Sequence, residues 1–189
     1  RDRSPSRGLG DVYKRQPFMN FNNFTIKSQE AVQEAVNLVQ SRGQQAIEPE
    51  HLMAGLLKVG ENVTNFIFQK LGINGQQIET VLDRQIASLP KVSGGEAYLS
   101  RSANEVLQKA LEVSKELGDE YVSLEALLLA LLNVKSTVAT ILKDAGLTDK
   151  ELRAAIQELR QGQKVTSQSS EDTYQSLNKY AINLIEAAR

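Results

Sequence analysis

His51 is the single histidine of the chain, and cysteine is absent. One imidazole cannot build a two-histidine zinc site and leaves little for a Ser-His-Asp triad. Without thiols there are no disulfides, thiolate metal sites or cysteine nucleophiles. The acidic pairs Glu48/Glu50 and Glu112/Glu116 have the spacing of helix-start and solvated-face residues. The nearest glycine cluster, Gly8-Leu9-Gly10, lacks the preceding strand and following helix that a phosphate cradle needs. No GxxxxGK[ST], HExxH, EF-hand loop or GxSxG occurs. Tyr174 and Tyr180 share a helical stripe, but only Lys179 interleaves with them, which fits packing better than base stacking. His51, on an apolar stretch, reads as a core histidine. These residue types point to binding rather than catalysis, with no cofactor and no metal held by this chain.

Charge narrows the partners. The formal net charge is −1. Residues 1–18 hold five basic and two acidic residues, a local +3, so the other 171 carry −4. No basic surface for nucleic acid is expected on the body. The first 18 residues are rich in Arg, Ser, Gly and Pro, lack the apolar core of a secretory signal, and read as a foreign or disordered head before Met19. The longest apolar run, Ala126 to Leu132, is far short of the roughly 18–20 residues that span a bilayer, so no membrane partner is expected.

The elements that must position any site are helices. Thr25 is placed to cap a helix through Val32, Val36 and Val39 that stops near Gly43. Glu48-Pro49-Glu50 opens a second, with Pro at its first position. A third spans Val63 to Leu71 and stops at Gly72. A fourth starts at Asn74 and is closed by Pro90. After a loop over 91–99 the pattern recurs, with Ser102, Ser123, Ser136 and Thr148 as expected helix starts and Gly118 and Gly146 as stops. Sliding the chain on itself by 75 superposes 30–57 on 105–132, with identities including Glu30/Glu105, Gly43/Gly118, Glu50/Glu125 and Leu52/Leu127. Beyond that, the register is 74. The expected fold is all-α: two pseudo-twofold-related four-helix repeats, about 25–90 and 100–161, within a domain over 19–161. Ala126 to Leu132 is apolar all round and must lie at the centre of its repeat or between the two, leaving the inter-repeat clefts for partly exposed apolar surface. Residues 162–171 read as a polar linker. Beyond it Tyr174, Leu177, Tyr180, Ala181, Leu184, Ile185 and Ala188 form one helical stripe, expected to begin a further module over 172–189.

The stretches Ile47-Glu48-Pro49-Glu50-His51-Leu52-Met53 and Tyr121-Val122-Ser123-Leu124-Glu125-Ala126-Leu127-Leu128 resemble the double Clp repeat domain at the N-terminus of the Clp/Hsp100 AAA+ unfoldases. The resemblance covers Met19 to Arg189, and Tyr174 to Leu184 is similar to the lead-in of the family's disaggregase branch. It implies a cytoplasmic, ATP- and Mg-dependent homohexameric ring whose nucleotide sites lie beyond this chain. In such a ring this domain, monomeric when isolated, engages unfolded or aggregated proteins in cooperation with a DnaK-type chaperone system. The alternative within the family is a ClpA/ClpC-type unfoldase whose domain docks adaptors for a protease. The resemblance places substrate contacts on Thr25, Asp119 and Glu125, with apolar groove positions at Val113 and Ala126. Lys109 departs from the apolar character of a further groove position. The residues themselves admit plainer roles: Thr25 as a cap, Asp119 after a helix stop, Glu125 in a first helical turn.

Overall fold

The computed structural model describes residues 21–92 and 94–170. The head and the Tyr174 stripe lie outside the described residues. After a 3-10 turn at Phe21–Asn23 come α1 (Ile26–Ser41), β1 (Ala46–Ile47), α2 (Pro49–Val59), α3 (Glu61–Leu71) and α4 (Gly75–Ser88). The second copy follows with β2 (Tyr98–Leu99), α5 (Arg101–Glu116), α6 (Leu124–Asn133), α7 (Thr137–Asp144) and α8 (Asp149–Arg160). The all-α, duplicated architecture is the expected one.

Capping explains where the helices begin. Thr25, Asn74, Ser123, Ser136 and Thr148 each accept the backbone N–H three residues on. The start of α5 differs from expectation. Ser100, not Ser102, is the cap, with its Oγ 3.0 Å from Ala103 N, because Ser100 is the residue that leaves the preceding strand and can still hold extended backbone. Gly43 and Gly118, 75 apart, take positive φ (67° and 76°) just past α1 and α5 and reverse the chain there.

The copies interlock. α3 packs on α8 and α4 on α7, which are the same contact related by the repeat, while α2 meets α6 across the pseudo-axis. Every residue of α6 from Leu124 to Leu132 is buried, and the helix touches α1 and α2 of the first copy as well as its own neighbours. It therefore serves both expected places at once. Gly55 lets α2 lie close on α1, since a Cβ there would collide with the Ala31 carbonyl oxygen.

Two short parallel pairings were absent from the sequence reading. β1 pairs with β2, Ile47 opposite Leu99, and Phe24 pairs with Val122. The shift of 75 carries Phe24 onto Leu99 and Ile47 onto Val122, so one pairing is the repeat image of the other. The two N–H bonds that seal them match as well: Thr25 N to Val122 O and Ser100 N to Ile47 O, both 3.0 Å. Each copy's first helix is thus anchored to the lead-in of the other copy's second helix. Runs this short carry no period-two signal in the sequence.

Residues 163–168 also depart from the linker reading. The chain turns back from α8 and lies across the junction of the copies, with Val165 fully buried. Its apolar side chain and backbone partners hold it, which composition alone does not report.

Candidate functional site

The junction beside Val122 collects the polar residues singled out in the sequence. Thr25 Oγ1 accepts Ser28 N–H at 3.1 Å, and Thr25 N–H is committed to Val122. Asp119 and Glu125 reach the same place through Arg160, which ends α8. Arg160 Nη1 donates to Asp119 Oδ1 at 2.9 Å, and Nη2 donates to Ser123 Oγ at 2.8 Å and Glu125 Oε2 at 3.3 Å. The ion-paired side chains are all shielded, at 0% exposure. Thr25, Asp119 and Glu125 are therefore brought together, although 94 positions separate the first two. All three are buried, as are Val113 and Ala126. Lys109 is part-exposed on α5, 3.6 Å from Glu112.

Two residues of this site escaped the sequence reading. Arg160 sits where an apolar stripe would place another core residue. Val165 sits in the expected linker. The repeat held a signal for the first: the register of 74 carries Ile86 onto Arg160, and the register of 75 carries Gln44 onto Asp119 and His51 onto Ala126.

The first copy fills the places of Asp119, Ala126 and Arg160 with Gln44, His51 and Ile86, and so has no cation where the second has Arg160. Glu48 N–H donates to His51 Nδ1 at 2.9 Å, so the ring's proton is on Nε2, which faces Gln44 Oε1 at 2.7 Å. Gln44 Nε2 in turn donates to the Ile86 carbonyl at 2.7 Å. Burial, with Arg42 adding repulsion, pushes the His51 pKa down to about 4. The imidazole is thus a neutral, doubly bonded helix-start residue, consistent with the core role expected of it. Glu50, the repeat image of Glu125, has Ile86 where Glu125 has Arg160. Burial above all, and the nearby Glu48 carboxylate, raise its pKa.

Open surface lies elsewhere. A depression of about 810 Å³ is bounded by α2, α3 and α4, with Leu57, Phe68 and Ile73 among its lining and Glu61, Glu79 and Asp83 around it. A second, of about 400 Å³, lies between α1 and α2. The two share Ala54, Lys58 and Asp83, so they adjoin one another beside α2 of the first copy.

Among the described residues no three His, Asp or Glu side chains converge as a metal site. Six helix starts are occupied by their own Ser, Thr or Asn caps, while α3 begins at Gly60 with no side-chain cap. No single helix among the described residues is long and apolar enough to cross a membrane. α6 and α7 reach that length only together, with a bend of 97°.

Residues 23–145 match the Clp repeat (R) N-terminal domain. The chain belongs to that family. This Clp repeat chain is 80% identical over 171 residues to chaperone protein ClpB of Bacteroides thetaiotaomicron, a match covering 90% of the chain and 20% of that relative. It thus spans about a fifth of the relative's length. The N-terminal domain of Hsp104 from Candida albicans superposes with a TM-score of 0.69 at 23% identity, covering 78% of this chain and 98% of the other. A ClpV N-domain in complex with a VipB peptide superposes with a TM-score of 0.61 at 18% identity, covering 72% and 86%. The last two report the fold alone. That fold agrees with the family match over residues 23–145.

Proposed function

We propose that the domain recruits non-native polypeptides to an ATP-driven, homohexameric Hsp100 ring of the disaggregase type. The ring would supply nucleotide hydrolysis and cooperate with a DnaK-type system in refolding, in the cytoplasm. The observation that carries this reading is the 80% identity to chaperone protein ClpB. It also supports the disaggregase over the protease-feeding alternative. The physical properties of the chain agree: shielded charges and capped helix starts are arrangements for holding shape, and the two depressions beside α2 present mixed apolar and polar surface. The ClpV N-domain in complex with a VipB peptide is a precedent for this fold holding a peptide.

Thr25, Asp119 and Glu125 are proposed to serve capture from inside, as the frame of the junction, with Val113 and Ala126 packed behind them. A recruiting domain should bind weakly, with dissociation constants of about 10–100 µM, and gain in a hexamer through effective concentration. Fluorescence anisotropy of a permanently unfolded, labelled model protein titrated with the full chain tests this. Saturable binding is expected, with no binding of the unmodified, native form of that model protein. Equal binding of both forms, or of neither at millimolar chain, would remove the proposal.

A further inference from the structure

Asn74-Gly75 is the one Asn-Gly pair in the sequence. Asparagine is thermolabile because its side-chain Cγ is open to attack by the next backbone nitrogen. A following glycine puts no Cβ in the way of the closing ring. In this fold the pair starts α4. Asn74 is exposed, and its Oδ1 accepts the Gln77 N–H at 3.1 Å. Gly75 is the first helical residue, so its N–H is among those for which a helix offers no acceptor. Nucleophile and electrophile are thus adjacent and open to water, but the backbone holds them out of line. Asn74 has ψ 94°, which leaves the Gly75 nitrogen roughly anti to Cβ across the Cα–C bond. Ring closure needs that torsion to swing round, and the cap and first turn of α4 must open for it. The second copy has no such pair. The register of 74 carries Asn74 and Gly75 onto Thr148 and Asp149, where a hydroxyl makes the cap. Packing keeps glycine at 75, since a Cβ there would lie 2.9 Å from Cδ2 of Phe68, a buried side chain.

We infer that Asn74 is a site of spontaneous deamidation, gated by the opening of the first turn of α4. The Gly75 nitrogen attacks Asn74 Cγ and forms a cyclic imide. The bond from Cγ to the side-chain nitrogen breaks, and that nitrogen leaves as ammonia with the proton given up by Gly75. Water then opens the imide at either carbonyl, leaving an α-linked or a β-linked aspartate at position 74. One water is consumed and one ammonia released, with no change of oxidation state. The α-linked product still offers an oxygen to the Gln77 N–H and sets negative charge at a helix start, where it is favourable. The β-linked product has an extra methylene in the main chain and a carboxylate attached directly to Cα, so the cap is lost. The turn that loosens belongs to the helix that packs on α7 of the other copy. This chemistry is independent of the recruiting role, and it marks the start of α4 but not the equivalent start of α8.

The experiment incubates the full chain at mildly alkaline pH, native and in guanidinium chloride. Peptide mass spectrometry follows the amide-to-acid mass change at position 74 and separates the two linkages by fragmentation. Conversion is expected in both conditions, and about tenfold slower in the native chain, because the cap is worth about 1 kcal/mol and the rest of the first turn opens with it. Asn74→Ser keeps a cap without the reactive amide, so no acid product should form at that position. Asn74→Asp stands for the α-linked product and should melt as the fresh chain does, while the converted chain, holding the β-linked form, should melt lower. Conversion in neither condition overturns the inference. Equal rates in the two conditions also overturn it, since the first turn would then protect nothing. A fully converted chain that melts like the fresh one overturns the loosening of α4. Should either variant fail to fold, the rate comparison on the unsubstituted chain decides alone.

Discussion

Arg160→Met tests the shielded charge cluster most sharply. The guanidinium holds Asp119 at 2.9 Å and Glu125 at 3.3 Å, and all three side chains are inaccessible. Methionine fills a similar length with apolar atoms and leaves two carboxylates buried together without their cation. Removing one partner from a buried pair costs about 3–5 kcal/mol. The methionine recovers part of the lost packing, and the carboxylates gain some water if residues 163–168 shift, so a loss of about 3 kcal/mol is expected. That is a large share of the roughly 5–15 kcal/mol that holds a domain together. Urea unfolding followed by far-UV circular dichroism should lower the midpoint by about 1.5 M, taking a slope of about 2 kcal/mol/M. The first copy supplies the rescue. Asp119→Gln, Ala126→His and Arg160→Ile together install the residues found at 44, 51 and 86, and should restore at least half of the loss. A loss below about 1 kcal/mol for Arg160→Met would refute the assignment of Arg160 as the neutralising group. A triple variant as unstable as the single one would refute the equivalence of the two networks.

Three further outcomes follow from the same structure. His51, with its folded pKa lowered from 6.5 to about 4, contributes stability that is complete above pH 6.5 and is lost as pH falls through about 4. The loss should be about 3 kcal/mol over that window, measured by thermal melts at stepped pH and absent in His51→Gln. Glu50 has the opposite sign. Its raised pKa means that the ionised form is penalised as pH rises, so Glu50→Gln should raise Tm at pH 7, with the gain vanishing below the usual carboxylate range. Gly55→Ala should push α1 from α2 at the Ala31 carbonyl and cost about 1–3 kcal/mol in urea unfolding. An unchanged midpoint would show that the helices part without resistance.

The helices and their order were legible because each carries its own signals: the Thr25, Asn74, Ser123, Ser136 and Thr148 caps, the glycine stops, and apolar spacing of three and four. The duplication was legible because those signals recur at 75 and then 74. The inter-copy pairings were not, because two residues of strand such as Ala46–Ile47 have no periodicity and depend on a partner 52 positions away. Ser100 lost out to Ser102 for a related reason: Ser102 has an acid three residues on, but the cap goes to whichever hydroxyl leaves the strand. Arg160 and Val165 defeated residue-type expectations in opposite directions. A charge was buried because two acids wait for it, and a valine in a polar stretch was buried because backbone partners draw its segment in.

The two networks explain why the segment over 163–168 bonds to the first-to-second helix turn of the second copy. Both copies must satisfy the backbone and side-chain groups at the turn between their first and second helices. In the first copy Gln44 uses its amide on the Ile86 and His51 groups, and the network closes on itself with neutral partners. In the second, Asp119 Oδ1 serves both Arg160 and the Val165 N–H. A carboxylate can accept from a passing backbone N–H while still bonded to its arginine, because each oxygen carries two lone pairs. An amide that has given its oxygen to a histidine and its nitrogen to a carbonyl has less left to offer. Replacing Gln by Asp at the repeated position, with Arg160 as counter-ion, therefore turns a closed structural turn into one with a spare acceptor at its edge. That acceptor faces the Val165 N–H. On this reasoning Asp119→Asn should loosen the segment over 163–168, because the amide keeps an acceptor oxygen but loses the charge that holds Arg160 against it. The Val165 amide should then lose protection against exchange, read by NMR. A Val165 amide as protected as in the unsubstituted chain would show that the charge at position 119 is not what holds the segment.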